Sequence, residues 1–297
     1  VDPLHLASAY RRHPRRWQSN LYVYPVISRR SRGISVGINL NPDKACNFDC
    51  VYCQVDRTVP PIVRRVDLDV LAAELDALLE AVRAGTLFEE EPFHSLPPER
   101  RSVRDIAFSG DGEPTTYPRF DEAVEIAAKA RHRHGLLDTK IVLITDAAYL
   151  TRPVVRRGLE ILDANHGEVW AKLDAGSEAF FRAVNRPNVS LETVLAGIFD
   201  AALVRPIVIQ TLWMRLHGKL PPDAEVDAYC GRLNAILSQG GRLAWTQLYT
   251  IARRPAEAFV TALSDTELDG IADRVRARVP VTVDVFYGVP PEAADNR

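Results

Sequence analysis

Apolar residues fall along this chain in two periods, and the switches between them outline a fold. The runs 21–27 (Leu-Tyr-Val-Tyr-Pro-Val-Ile) and 34–40 (Ile-Ser-Val-Gly-Ile-Asn-Leu) read as strands joined by a polar turn around Arg32-Gly33. After Pro60-Pro61 the period lengthens: Leu68, Leu71, Leu75, Leu78, Leu79 and Val82 line one stripe of a helix over 68–84, with Gly85 as its stop. Residues 86–102 carry Pro92, Pro97 and Pro98 among charges and predict a long surface insertion. A regular alternation then begins. Strands are predicted at 104–109, 140–145, 168–174, 206–212, 242–250 and 281–286. Helices are predicted near 119–133, 152–163, 223–238 and 265–278, with helical segments between the fourth core strand and residue 203. Strands alternating with helices imply parallel pairing and right-handed crossovers. About six such units predict an α/β chain, a partial (β/α)6 barrel, with a short N-terminal extension. The division expected is 1–33 for that extension with its first strand, and 34–297 for the core.

Composition narrows the class only slightly. With 46% hydrophobic and 26% charged residues, the 297-residue chain reads as an ordinary globular protein. No apolar run is long enough for a membrane span and no signal peptide is evident, so a cytoplasmic protein that does not engage a membrane is expected. Four cysteines, three of them clustered, also suit a reducing compartment. A net charge of −2 argues against a generally basic nucleic-acid-binding surface. Basic residues do crowd one end: Arg11, Arg12, Arg15, Arg16, Arg29, Arg30 and Arg32, with Trp17, Tyr22 and Tyr24 among them. This is read first as a solvated segment of an arginine-rich chain and second as an arm for RNA phosphates.

The chemistry lies in Cys46-Asn47-Phe48-Asp49-Cys50-Val51-Tyr52-Cys53. The spacing C-x3-C-x2-C puts three thiolates on one tight loop, enough to grip three corners of a cube. A [4Fe–4S] cluster usually takes four cysteines, so three leave one iron open to a small molecule. Zinc is the competing reading, but it favours paired CxxC units or cysteine with nearby histidine. The seven histidines, at 5, 13, 94, 132, 134, 166 and 217, are scattered. Cys230 shares a helical stripe with Val226, Leu233 and Leu237 and reads as a buried apolar residue. The cysteine loop directly follows the strand ending at Leu40, where a β/α barrel carries its chemistry.

This run resembles the cluster loop of the radical S-adenosylmethionine (radical SAM) enzymes, which share the spacing and an aromatic residue before the last cysteine, here Tyr52. The resemblance implies a partial barrel, an oxidoreductase with a [4Fe–4S] cluster on Cys46, Cys50 and Cys53, and SAM chelated to the open iron. It also implies reductive cleavage of SAM to methionine and a 5′-deoxyadenosyl radical that removes hydrogen from a substrate. An electron donor such as flavodoxin or ferredoxin is the partner it implies. Ser109-Gly110-Asp111-Gly112-Glu113-Pro114-Thr115 resembles the family's glycine-glycine-glutamate motif, which holds the ammonium of SAM, so Gly110, Asp111, Gly112 and Glu113 are expected at the cofactor. A glycine turn starting a helix is the plainer reading.

Later strands add candidates. Asp146, after the third core strand, could bond ribose hydroxyls or the methionine carboxylate, or be a simple turn residue. Alternation puts Lys172 and Asp174 on one face of the fourth strand, directed at SAM or paired with each other. Substrate-side candidates are Arg186 in Asn185-Arg186-Pro187, Gln210, Gln247 and Tyr249, with Asp284 a further inward position. Asn41-Pro42-Asp43, the glycine loop, Leu173-Asp174 and Asn185-Arg186-Pro187 resemble the wyosine-synthesis-like group of iron–sulfur oxidoreductases. Members that make wyosine bases hold a second cluster on additional cysteines. This sequence has none before Cys46 and only Cys230 after Cys53, so one cluster is expected. The substrate stays open among small molecule, peptide and RNA, with tRNA base modification as one alternative. A non-catalytic iron–sulfur electron carrier or sensor is the other.

Overall fold

A computed structural model describes residues 17–28 and 30–288. Arg11, Arg12, Arg15, Arg16 and Arg29 of the predicted basic arm therefore lie outside the described residues. The sheet is built from β1 (Val23–Ser28), β2 (Gly33–Ile38), β3 (Val103–Phe108), β4 (Lys140–Thr145), β5 (Gly167–Lys172), β6 (Ile207–Leu212), β8 (Leu243–Tyr249) and β10 (Val283–Phe286), hydrogen-bonded in that order. β1 pairs antiparallel with β2 along its whole length, and every later neighbour pairs in parallel. Two short strands, β7 (Arg215–Leu216) and β9 (Val260–Thr261), form a separate antiparallel pair. The curled parallel sheet is a half-barrel, as the alternation predicts. Because the strands run in parallel, the loops after β2, β3, β4, β5, β6 and β8 all emerge at one end.

Helices α1 (Leu68–Ala84), α2 (Phe120–Arg133), α3 (Pro153–Ala164), α4 (Glu178–Asn185), α5 (Leu191–Val204), α6 (Asp223–Ser238) and α7 (Asp265–Arg278) connect these strands. α1 shows why such segments form. Asp67 accepts from the backbone N–H groups of Asp69 and Val70, the leucine stripe is buried, and Gly85 ends the helix at φ 86°. α7 opens with a reciprocal Ser264–Glu267 capping box. Cys230 is buried on α6, as its stripe predicts. The large core lies between sheet and helices. A smaller cluster, with Ala107, Val142, Trp170 and Val208, faces the bore.

Residues 86–102 depart from expectation. They coil into three short 3-10 turns that bury Leu87, Phe88, Phe93 and Leu96, so the segment is packed rather than loose on the surface. The prolines break regular structure, as read, but four apolar side chains between them are enough to dock it. β5 also ends two residues sooner than predicted, at Lys172, leaving Asp174 in the following loop.

Candidate functional site

The cysteine loop starts just past the end of β2 and is stitched to two distant segments. Backbone bonds run from Asp49 to Asn185 (3.1 Å), from Val51 to Val184 (2.9 Å), from Asn188 to Asn47 (3.2 Å) and from Glu257 to Val51 (3.2 Å). Val51 is buried with Val184, Leu212, Met214, Ile251 and Val260, a satellite cluster under the loop. Cys46, Cys50 and Cys53 are all free and half-buried, and all three line one cleft of about 340 Å³. Burial pushes the bare Cys50 thiol up to about 12. Burial also pushes Cys46 up, to about 11, and the charges of Asp146 and Glu113 add to it.

The cleft occupies the strand-end mouth and part of the bore. Its walls include Gly110, Asp111, Gly112 and Glu113 after β3, Asp146 after β4, Lys172 on β5, Tyr249 on β8, and Tyr52 and Arg57 of the cysteine loop. The glycines are required by contact between loops. A Cβ on Gly112 would stand 2.0 Å from the carbonyl oxygen of Ala45, and one on Gly110 would stand 2.4 Å from Asn39 Oδ1. Asn39 also accepts from the Asp111 N–H (3.1 Å) and donates to Asp111 Oδ2 (2.7 Å), so the glycine loop is locked to the end of β2.

Glu113 is 3% exposed and accepts from Thr115 N (3.0 Å), Thr115 Oγ1 (2.5 Å), Thr145 Oγ1 (2.7 Å) and Asp146 N (2.7 Å). It thereby fixes the start of the β4 loop and the position of Asp146. Asp146 is buried as well. Its Oδ1 accepts from Ala148 N (2.9 Å), while Oδ2 and the buried Asn47 Nδ2 approach each other short of a full hydrogen bond. Burial raises both carboxyls, and the charge of Glu113 raises Asp146 further. Two carboxylates in one dry site repel each other and favour a bound cation or a shared proton.

On the far wall the polar groups are saturated. Asp174 accepts from Leu212 N (2.8 Å), from Asn185 Nδ2 (3.0 Å) and from the Tyr52 hydroxyl, and its carboxylate lies 3.1 Å from Lys172 Nζ. Lys172 also donates to the Tyr249 hydroxyl (2.6 Å), with its ammonium over the rings of Tyr52 and Tyr249. Burial pulls Lys172 down, but Asp174 and Tyr249 outweigh it and its pKa is raised. The shared face read from the sequence holds, and the two charges meet each other. Lys172 lines the cleft, whereas Asp174 lies behind it.

The remaining candidates divide. Tyr249 lines the cleft, while Gln210 and Gln247 are buried below it and bond to each other at 2.8 Å. Arg186 ends α4 at φ 43° and points to the rim, 2.5 Å from Glu257 and 3.7 Å from Asp49, outside the cleft lining. Asp284 pairs in register with Gln247 but is exposed. Sequence reasoning missed Arg30, which reaches the bore from the β1–β2 turn and stacks over Trp170 and Tyr249. It also missed Asn185 and Arg57, which donate to Cys50 Sγ (3.5 Å) and Cys53 Sγ (3.4 Å). Arg57 was discoverable, being four residues past Cys53. Arg30 was read from the sequence only as part of the basic arm and Asn185 only as part of its tripeptide, because their partners come from remote segments.

Among the described residues, no three His, Cys, Asp or Glu side chains gather around a point that could hold one ion. A cube offers each thiolate its own iron, so three cysteines facing one cleft fit it without such convergence. No helix among the described residues is long and apolar enough to cross a membrane.

The chain is 31% identical over 176 residues to a UPF0026 protein of Methanocaldococcus jannaschii, covering 59% of this chain and 47% of that protein. It is 24% identical over 270 residues to a Brachyspira hyodysenteriae protein named GTPase Obg, covering 88% of this chain and 34% of that protein. It thus spans between a third and a half of these two relatives. Among solved structures it is similar to Streptococcus suis SuiB bound to S-adenosylmethionine, with a TM-score of 0.54 and 10% identity over 86% of this chain and 49% of that one, a likeness of fold. The family model for the radical SAM superfamily, enzymes that bind a [4Fe–4S] cluster and SAM, matches residues 40–209, and the chain belongs to that superfamily.

Proposed function

We propose that this chain holds a [4Fe–4S] cluster through Cys46, Cys50 and Cys53 and reductively cleaves SAM to start hydrogen abstraction from a substrate. The observation that carries this reading is one shared cleft, with three free cysteines on one wall and the buried Glu113–Asp146 carboxylate pair on another. A cluster held by Cys46, Cys50 and Cys53 would supply the one-electron reduction that cleaves SAM bound in the same cleft.

The chain's own groups suit that ligand. SAM brings an ammonium and a sulfonium, two cations for a site in which two carboxyls are raised by burial and by each other. Asp146 lines the cleft with its Oδ2 short of a full hydrogen bond, approached only by the Asn47 amide. Asp111 and the backbone of Gly110 and Gly112 line the same wall. Lys172, Tyr52 and Tyr249 close the opposite side, with Asp174 holding Lys172 and Tyr52 in place from behind. Arg186, Gln210 and Gln247 act as supports of the mouth and bore rather than as substrate contacts. A one-electron donor of the flavodoxin or ferredoxin kind is the reductant expected.

Anaerobic reconstitution followed by electron paramagnetic resonance tests this. The reduced wild-type protein should show a cluster signal that shifts when SAM is added, and Cys46→Ala should lose both iron and signal. A full cluster whose spectrum ignores SAM would favour the electron-carrier reading. Iron kept in full by Cys46→Ala would remove the ligand assignment.

A further inference from the structure

The three cysteine sulfurs sit in unequal surroundings. Cys53 Sγ receives an N–H from Arg57 Nη1 at 3.4 Å. Cys50 Sγ receives one from Asn185 Nδ2 at 3.5 Å, a buried neutral amide that also bonds Asp174 at 3.0 Å. Cys46 Sγ receives a backbone N–H from Phe48 and lies 3.9 Å from Asn47 Oδ1, and the charges of Asp146, Glu113 and Arg57 all reach it. Among these contacts Cys53 is the sulfur that a guanidinium touches directly, whereas the side-chain donor to Cys50 is a neutral amide and the donor to Cys46 a backbone N–H.

Arg57 is held for this contact. Its Nε donates to the carbonyl of Lys44 (3.3 Å), bridging the two ends of the cysteine loop. Lys44 in turn donates to the carbonyls of Asp56 (2.6 Å) and Val59 (2.7 Å), pinning the segment that carries Arg57. The exposed carboxylate of Asp49 lies 3.8 Å from Arg57 Nη1 and partly offsets its charge.

Reducing a cluster adds negative charge, and donors at the ligand sulfurs stabilise that charge and raise the potential. Resting on the reading of Cys46, Cys50 and Cys53 as ligands, we propose that Arg57 is a positioning residue that sets the cluster's reduction potential through the Cys53 sulfur. It makes the cluster easier to reduce, and Asp49 trims the effect. A guanidinium serves here because its fork reaches a sulfur and a carbonyl at once, which an ammonium cannot do in one fixed geometry.

The test is a redox titration of the anaerobically reconstituted protein followed by electron paramagnetic resonance, with iron content measured first. Arg57→Met should keep the cluster and lower its midpoint, shifting the reduced-to-oxidised ratio about tenfold at a fixed potential, or about 59 mV for one electron. Arg57→Lys should recover part of the shift, and Asp49→Asn should move the midpoint the other way. A full cluster with an unchanged midpoint in Arg57→Met overturns the proposal and leaves Arg57 a loop clip. Should Arg57→Met lose iron, Asp49→Asn decides: a midpoint no higher than wild type overturns it equally. Failure of the ligand assignment shows separately, as iron retained by Cys46→Ala.

Discussion

Asp146 and Asp174 follow neighbouring strands of one half-barrel, both buried, and are built in opposite ways. Asp174 is surrounded by donors: a backbone N–H, an amide, a phenol and an ammonium. Asp146 has one backbone donor on Oδ1, only the approach of Asn47 short of a full hydrogen bond on Oδ2, and a second carboxyl next to it. A buried charge with every bond made is part of the scaffold, whereas one held against repulsion with an atom to spare is reserved for a ligand. Their environments, more than their positions on the barrel, separate support from site.

Removing the charge of Asp174 is the harshest way to break this contrast. Asp174→Asn should lower stability by roughly 3–5 kcal/mol, because Lys172 is left buried without its counter-charge. The midpoint of urea unfolding reads this directly. A loss below about 1 kcal/mol, with SAM binding gone, would make Asp174 a ligand contact instead.

The matching change at Asp146 should act in the opposite direction. Its folded-state pKa is raised, so its favourable contribution is complete below the unfolded value and is lost as pH rises through the folded one. Asp146→Asn removes that loss. The ligand-free variant should melt near the wild type around pH 4 and about 2 °C higher at neutral pH, the gap widening as pH rises. The same variant should bind SAM about tenfold more weakly. A variant less stable than wild type at neutral pH would cancel the distinction between the two aspartates.

This contrast was only half legible in the sequence. The cysteine loop, the glycine loop and the parallel strands could be read because each signal is local: a spacing, a turn composition, a period. The facing of Lys172 and Asp174 followed from alternation alone. What Asp174 does depends on Tyr52, Asn185 and Leu212, which arrive from three other segments, and no local pattern announces them. Arg186 could be read from its tripeptide either as a substrate-side residue or as a surface arginine on a turn. The backbone around it docks on the cysteine loop and the side chain pairs with Glu257 and Asp49, neither of which is close in sequence. Gln210 and Gln247 were read as substrate-side candidates, and cross-strand register pairs them with each other.

On this reading the cysteine wall and the Glu113–Asp146 wall form a single SAM-cleaving site. Product analysis of anaerobically reconstituted, chemically reduced wild-type protein incubated with SAM tests it most directly. The expected result is equal amounts of 5′-deoxyadenosine and methionine, formed only when the cluster is present. A full, reduced cluster that leaves SAM intact would contradict the account.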